Sequence, residues 1–211
     1  MGHEFLEMKN IPSAIESYRT AVDIDGNDYR AWYGLGQTYE IHQMYQYAIY
    51  YFLNAANAKP NDSRMWTALA SCYEKLEKKQ EAIKCYKKAL VFKDKEGTFN
   101  LLNLLGIALY KIAKLYISLG DDEKAAAFFE ENLKKCNTNN EEIESSEYID
   151  TSMFLAKYYK IQGKLDNAYN YLIKLKDYEG QVIIFVNLKE KDDIHSMMRE
   201  INNINSASNN N

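Results

Sequence analysis

Residues Tyr29 to Asp94 read YRAWYGLGQTYEIHQMYQYAIYYFLNAANAKPNDSRMWTALASCYEKLEKKQEAIKCYKKALVFKD, two copies of one pattern set 34 residues apart. Trp32 is answered by Trp66, Leu35 by Leu69, Gly36 by Ala70, Tyr39 by Tyr73, Ala48 by Ala82, Phe52 by Tyr86 and Ala55 by Ala89. Within the first copy Trp32, Leu35, Gly36 and Tyr39 fall at i, i+3, i+4 and i+7, one face of a helix; Ala48, Phe52 and Ala55 mark a second. Small residues at 36/70 and 48/82 let paired helices approach closely, and the aromatics fill the gaps between successive pairs. The unit is a helical hairpin, and stacked hairpins share one continuous core.

A 34-residue period with Trp, Leu-Gly, Tyr, Ala, Phe and a closing proline, here Pro60, is the tetratricopeptide signature. Asn61-Asp62-Ser63 then supplies turn and N-cap chemistry for the next helix. The predicted fold is all-α, a right-handed solenoid of tetratricopeptide hairpins, with repeats at 29–62 and 63–96. Projected backwards, the register lands on Gly2, Phe5, Ala14, Tyr18 and Ala21. That is a truncated repeat at 1–28 whose first helix would begin about six residues before Met1, so the chain is expected to be part of a longer polypeptide.

Beyond residue 96 the spacing widens to 43: Tyr73, Tyr116 and Tyr159 stand that far apart, as do Ala82, Ala125 and Ala168. Ile112-Ala113, Tyr116, Ala125 and Phe129 keep the internal spacing, as do Leu155-Ala156, Tyr159, Ala168 and Leu172. Repeats are therefore expected at 106–139 and 149–182, preceded by an apolar insertion at 97–105 that extends a first helix, and by a polar loop at 140–148. A HEAT-type repeat is the competing reading of the wider period; the preserved internal spacing favours tetratricopeptide hairpins. Val182 to Val186 has the composition of a buried strand, but no second strand is available to pair with it. A capping helix at 183–201, carrying Met197, Met198 and Ile201, is the favoured reading. The Asn- and Ser-rich residues 202–211 are expected to be a disordered tail.

With 26 basic and 30 acidic residues, the net charge of -4 leaves no basic field for a phosphate backbone, which argues against nucleic-acid binding. Cys72, Cys85 and Cys136 form no close pair and read as reduced packing residues. No apolar run approaches the roughly 20 residues needed to cross a bilayer, and Met1-Gly2-His3-Glu4 lacks signal-peptide character. A soluble protein of nucleus and cytoplasm is expected, without membrane partners. His3, His42 and His195 are scattered, and none has a Cys or Asp at metal-ligand spacing. There is no phosphate loop, nucleophile elbow or zinc-protease helix. No catalytic residues, metal or cofactor are assigned, and an enzyme reading would require a catalytic domain upstream of Met1.

What such an array offers is a groove lined by its first helices. Positions 2, 5, 9 and 12 lie off the packing face: Arg30, Tyr33, Gln37 and Glu40 in one repeat, Arg64, Thr67, Ser71 and Glu74 in the next. Glu40 and Glu74 would place two carboxylates on one wall, with Tyr33 beside them. That arrangement suits an extended peptide carrying an arginine; the plainer reading is a pair of solvated glutamates. A clamp for a C-terminal carboxylate is disfavoured, because both glutamates would repel it.

The particular residues also resemble a family. Met1-Gly2-His3-Glu4-Phe5, Glu7-Met8-Lys9-Asn10, the run DYRAWYGLGQTYE from Asp28 to Glu40, Pro60-Asn61-Asp62-Ser63-Arg64-Met65 and Cys72-Tyr73-Glu74-Lys75-Leu76 are similar to the C-terminal tetratricopeptide region of the subunit 8 family of the anaphase-promoting complex. The resemblance is close to about Leu90, looser to about Leu175 and absent beyond. It implies a non-catalytic scaffold of a mitotic ubiquitin ligase, with other subunits of the complex as partners. It also implies a groove that receives the arginine-bearing C-box of a coactivator, with Glu40 as the arginine acceptor, Tyr33 and Gln37 beside it, and His3, Arg30, Arg64 and Glu74 as outer candidates. Homodimerisation in that family uses N-terminal repeats, so a homodimer is expected only if those repeats precede this chain. The alternative is a tetratricopeptide adaptor of another multiprotein complex that binds an extended peptide.

Overall fold

Asp28 and Asp62 each open a helix by accepting a hydrogen bond from the backbone N–H two residues on, of Arg30 at 3.0 Å and of Arg64 at 3.1 Å, as N-cap aspartates do. Trp32 and Trp66 fix those helices to the preceding loop in the same way, each indole Nε1 donating to a carbonyl six residues back, of Gly26 and Pro60, at 2.8 Å. The recurring tryptophan therefore serves as a latch as well as a packing residue.

The computed structural model describes residues 2–91, 99–139, 145–179, 195–201 and 203. Helices follow in the order α1 Gly2–Glu7, α2 Ile11–Ile24, α3 Tyr29–Ile41, α4 Tyr45–Ala58, α5 Ser63–Lys75, α6 Lys79–Val91, α7 Phe99–Ser118, α8 Asp122–Asn139, α9 Ser145–Ile161 and α10 Leu165–Glu179. Among the described residues there is no strand. The chain divides into two compact units, residues 1–115 and 116–211.

One turn joins the helices of every pair. Lys9, Gln43, Glu77, Gly120 and Gly163 all have positive φ, between 56° and 77°, and their spacing is 34, 34, 43 and 43 residues. At each, the next residue's N–H reaches the carbonyl five back, as Met44 to Tyr39 at 2.9 Å, while the left-handed residue's own N–H reaches the carbonyl three back, as Gln43 to Glu40 at 2.8 Å. This is a Schellman closure, which satisfies the carbonyls a helix end leaves open.

In the first unit Ala14, Tyr18, Ala31 and Leu35 form a buried cluster against Phe5, Leu6 and Trp32; Phe52, Leu69 and Tyr86 are buried further along. Gly36 permits this approach: a Cβ there would stand 2.5 Å from the Phe52 ring, inside van der Waals contact. In the second unit the core is Ile149, Met153, Ala156, Ala168, Leu172, Leu175, Met197 and Ile201. The last two lie in residues 195–201, which are helical.

The structure departs from the expected polar loop at 140–148, since Ser145 to Tyr148 form the first turn of α9. Tyr148 packs against the second core, and that burial favours helix over solvated loop. Residues 140–144, the apolar run 182–186 and the tail from 202, apart from the helical Asn203, lie outside the described residues. Cys72 and Cys85 are buried free thiols. No described helix is long and apolar enough to cross a membrane.

Candidate functional site

α3 and α5 carry the same face 34 residues apart. Ser71 of α5 lies close enough to the Glu40 carboxylate for its hydroxyl to favour the ionised form. Burial raises the Glu40 pKa; the Ser71 hydroxyl and the Lys75 charge oppose that rise without cancelling it. Among the described residues Glu40 is in no ion pair. A half-buried carboxylate with an elevated pKa and no cation in contact is paying a desolvation cost that an incoming guanidinium would relieve.

Tyr33 lies near enough to Glu40 to feel its charge. Its ring packs on Phe52 at 5.3 Å, and burial, then the nearby Glu40 charge, raises its phenol pKa. Gln37 is half-buried one turn before Glu40.

The remaining expected groove residues are committed elsewhere. Arg64 folds back onto its own N-cap, Nε donating to Asp62 Oδ1 at 2.9 Å and Nη2 to Oδ2 at 2.6 Å. Lys59 adds a second cation to the fully buried Asp62 at 3.3 Å. Arg30 makes the corresponding contact to Asp28 at 3.1 Å but stays largely in solvent. Glu74 accepts from Tyr86 Oη at 3.1 Å and from Lys111 Nζ at 3.3 Å, so its charge is already answered. His3 Nδ1 is 2.8 Å from Tyr18 Oη and its ring stands edge-on to that tyrosine. The expected pair of acids on one wall is thus one available carboxylate, Glu40, beside one that is bridged.

Periodicity passed over Lys75, Lys111 and the closeness of the Ser71 hydroxyl to Glu40. The Asp-x-Arg repeat at 28–30 and 62–64 was a legible signal that both arginines would turn to their caps. Lys111, 37 positions from Glu74, left no comparable signal. Among the described residues no group of three or more His, Cys, Asp or Glu could hold a metal ion.

The sequence matches the description "TPR repeat" over residues 2–41 and "Tetratricopeptide repeat" over 63–93 and 107–135. It is 42% identical over 125 residues to anaphase-promoting complex subunit 8 of Dictyostelium discoideum, covering 59% of this chain and 18% of the relative. It is 44% identical over 122 residues to subunit 8 of Arabidopsis thaliana, covering 58% of this chain and 18% of that protein. The aligned part is therefore under a fifth of either relative. In fold it matches the crystal structure of MamA with a TM-score of 0.67 at 20% identity, over 88% of this chain and 98% of that one. The chain carries tetratricopeptide repeats in an all-helical solenoid fold, and over more than half its length it resembles part of anaphase-promoting complex subunit 8.

Proposed function

We propose that this chain is a non-catalytic tetratricopeptide scaffold segment of an anaphase-promoting complex. On this reading it contacts other subunits and docks the arginine-bearing C-box of a coactivator in the groove between α3 and α5, and it works in nucleus and cytoplasm. Support comes from the resemblance to subunit 8 together with one local observation. Glu40 is a half-buried carboxylate beside Ser71 of the next repeat, with no ion pair among the described residues. A guanidinium placed there gains a charge-assisted bond and lies near the Tyr33 ring, which offers a stacking face.

A labelled C-box peptide titrated with the chain and followed by fluorescence anisotropy tests this. Saturable binding is expected, weakened more than about ten-fold by Glu40→Gln, by Glu40→Lys and by an arginine-to-alanine change in the peptide. Binding that ignores all three changes removes Glu40 from the site. A folded chain that binds no C-box leaves only subunit contacts to carry the scaffold reading.

A further inference from the structure

The second helices of the repeats present outward positions that also recur every 34 residues. One such position carries Glu16, Tyr50 and Lys84 in α2, α4 and α6, and the next carries Arg19, Leu53 and Lys87; all six are exposed. The middle helix differs in kind from its neighbours. α4, YQYAIYYFLNAANA, contains no charged residue. Of the ten exposed large apolar side chains among the described residues, four, Met44, Tyr47, Tyr50 and Leu53, belong to α4 and the turn leading into it, and Ile41 ends the helix before that turn. Such concentration on one helix, against scattered single residues elsewhere, is the mark of a contact surface.

The aromatic part of this face is ordered in advance. Tyr39 stacks on Tyr47 at 5.6 Å and on Tyr51 at 5.1 Å, Tyr50 meets Tyr51 edge-on at 5.2 Å, and Arg19 donates to Tyr39 Oη at 3.3 Å. Rings already held against one another lose little freedom when something lies across them. The two flanks then decide which chemistry fits. On the α2 side Glu16 and Arg19 select no sign. On the α6 side the exposed residues Lys84, Lys87 and Lys88 outnumber one exposed acid, Glu81, and Lys88 lies over the Trp66 ring at 4.1 Å.

We propose that the outer face of α4, with the adjoining lysines of α6, docks a short segment of a partner protein that carries aromatic or aliphatic residues followed by acidic ones. The apolar residues cover Tyr50 and Leu53, and the acids meet Lys84 and its neighbours. This surface is separate from the groove that holds Glu40, so the proposal stands or falls independently of C-box docking.

The test is a displayed random-peptide library selected on the 211-residue chain. Each enriched peptide is then synthesised, labelled and titrated by anisotropy against the chain and three variants: Tyr50→Ser with Leu53→Ser, Lys84→Glu, and Glu40→Lys. All the outer-face substitutions are at exposed positions, and unchanged far-UV circular dichroism checks that the fold is kept. We expect peptides enriched in Asp and Glu beside Leu, Phe or Trp, weakened about ten-fold by the first two variants and unaffected by Glu40→Lys. Their affinity should fall as salt rises from about 0.05 to about 0.5 M, as an exposed charge contact requires. Enriched peptides without acids, binding indifferent to both outer-face variants, or no enrichment over bare support would each overturn the proposal. A concentration-dependent dimer in sedimentation velocity, abolished by Tyr50→Ser with Leu53→Ser, would also overturn it and assign the face to a second copy of the chain.

Discussion

Asp28 and Asp62 occupy the same place in successive repeats but differ in surroundings. Asp62 is fully buried and answers two cations, whereas Asp28 is partly exposed and answers one. Asp62→Ala is therefore expected to cost about 2 kcal/mol, from the lost cap and the unpaired groups left behind, and Asp28→Ala about 1 kcal/mol. Urea denaturation measures both, and equal costs would contradict the ranking. Burial pushes the Asp62 pKa up, but the hydrogen bonds and charge of Arg64 and the Lys59 contact outweigh it, so the carboxyl sits below its ordinary range. A folded pKa below the unfolded one adds stability that is present above about pH 4 and lost as pH falls through the folded value. The stability gap between the chain and Asp62→Asn should accordingly close on acidification. Glu40 has the opposite sign: burial raises its folded pKa, so its ionised form opposes folding above that value and ceases to do so below the unfolded one. Glu40→Gln is expected to weaken arginine-peptide binding more than about ten-fold at neutral pH without lowering the urea midpoint, and a large destabilisation would recast Glu40 as a structural residue.

At the scale of the element, the five turns have one geometry and two chemistries. Lys9, Gln43 and Glu77 hold the left-handed conformation with a side chain, while Gly120 and Gly163 hold it without one. A Cβ at either glycine would meet nothing within 4 Å, so backbone strain alone sets the effect of substitution. Gln43→Gly and Glu77→Gly should each stabilise by about 0.5–1 kcal/mol, and Gly120→Ala and Gly163→Ala should each destabilise by about 1 kcal/mol. Thermal melts of the four variants decide it, and a destabilising glycine at 43 or 77 would mean that those side chains contribute more than their strain costs. Gly36 is constrained by contact instead: a methyl at 36 pushes into the Phe52 ring, so Gly36→Ala should weaken the α3–α4 hairpin although alanine favours helix.

At the scale of the whole molecule, two buried thiols report opening. Burial, with the Glu40 charge adding to it, pushes Cys72 up to about 12, and burial pushes Cys85 up to about 11, so neither is an appreciable thiolate in the folded chain near neutral pH. In a Cys136→Ser background, labelling by a disulfide reagent should be slow in native buffer and should rise with loss of helix in urea; rapid stoichiometric labelling of the native chain would show that the α5–α6 hairpin opens locally. The sequence by itself determined the hairpins, because residues such as Trp32, Leu35, Gly36, Tyr39, Ala48 and Phe52 must recur where identical helices pack at identical distances. A period states which face a side chain is on, and so it put Glu40, Tyr33 and Ser71 at positions expected to face a groove. It does not state what that side chain meets there. Arg30 and Arg64 turned to aspartates two residues away, Glu74 met a lysine 37 positions downstream, and Glu40 is in no ion pair among the described residues. Charge pairing depends on rotamers and on approaches between distant segments, which residue spacing does not encode, so only the tertiary structure decided which carboxylate remains available.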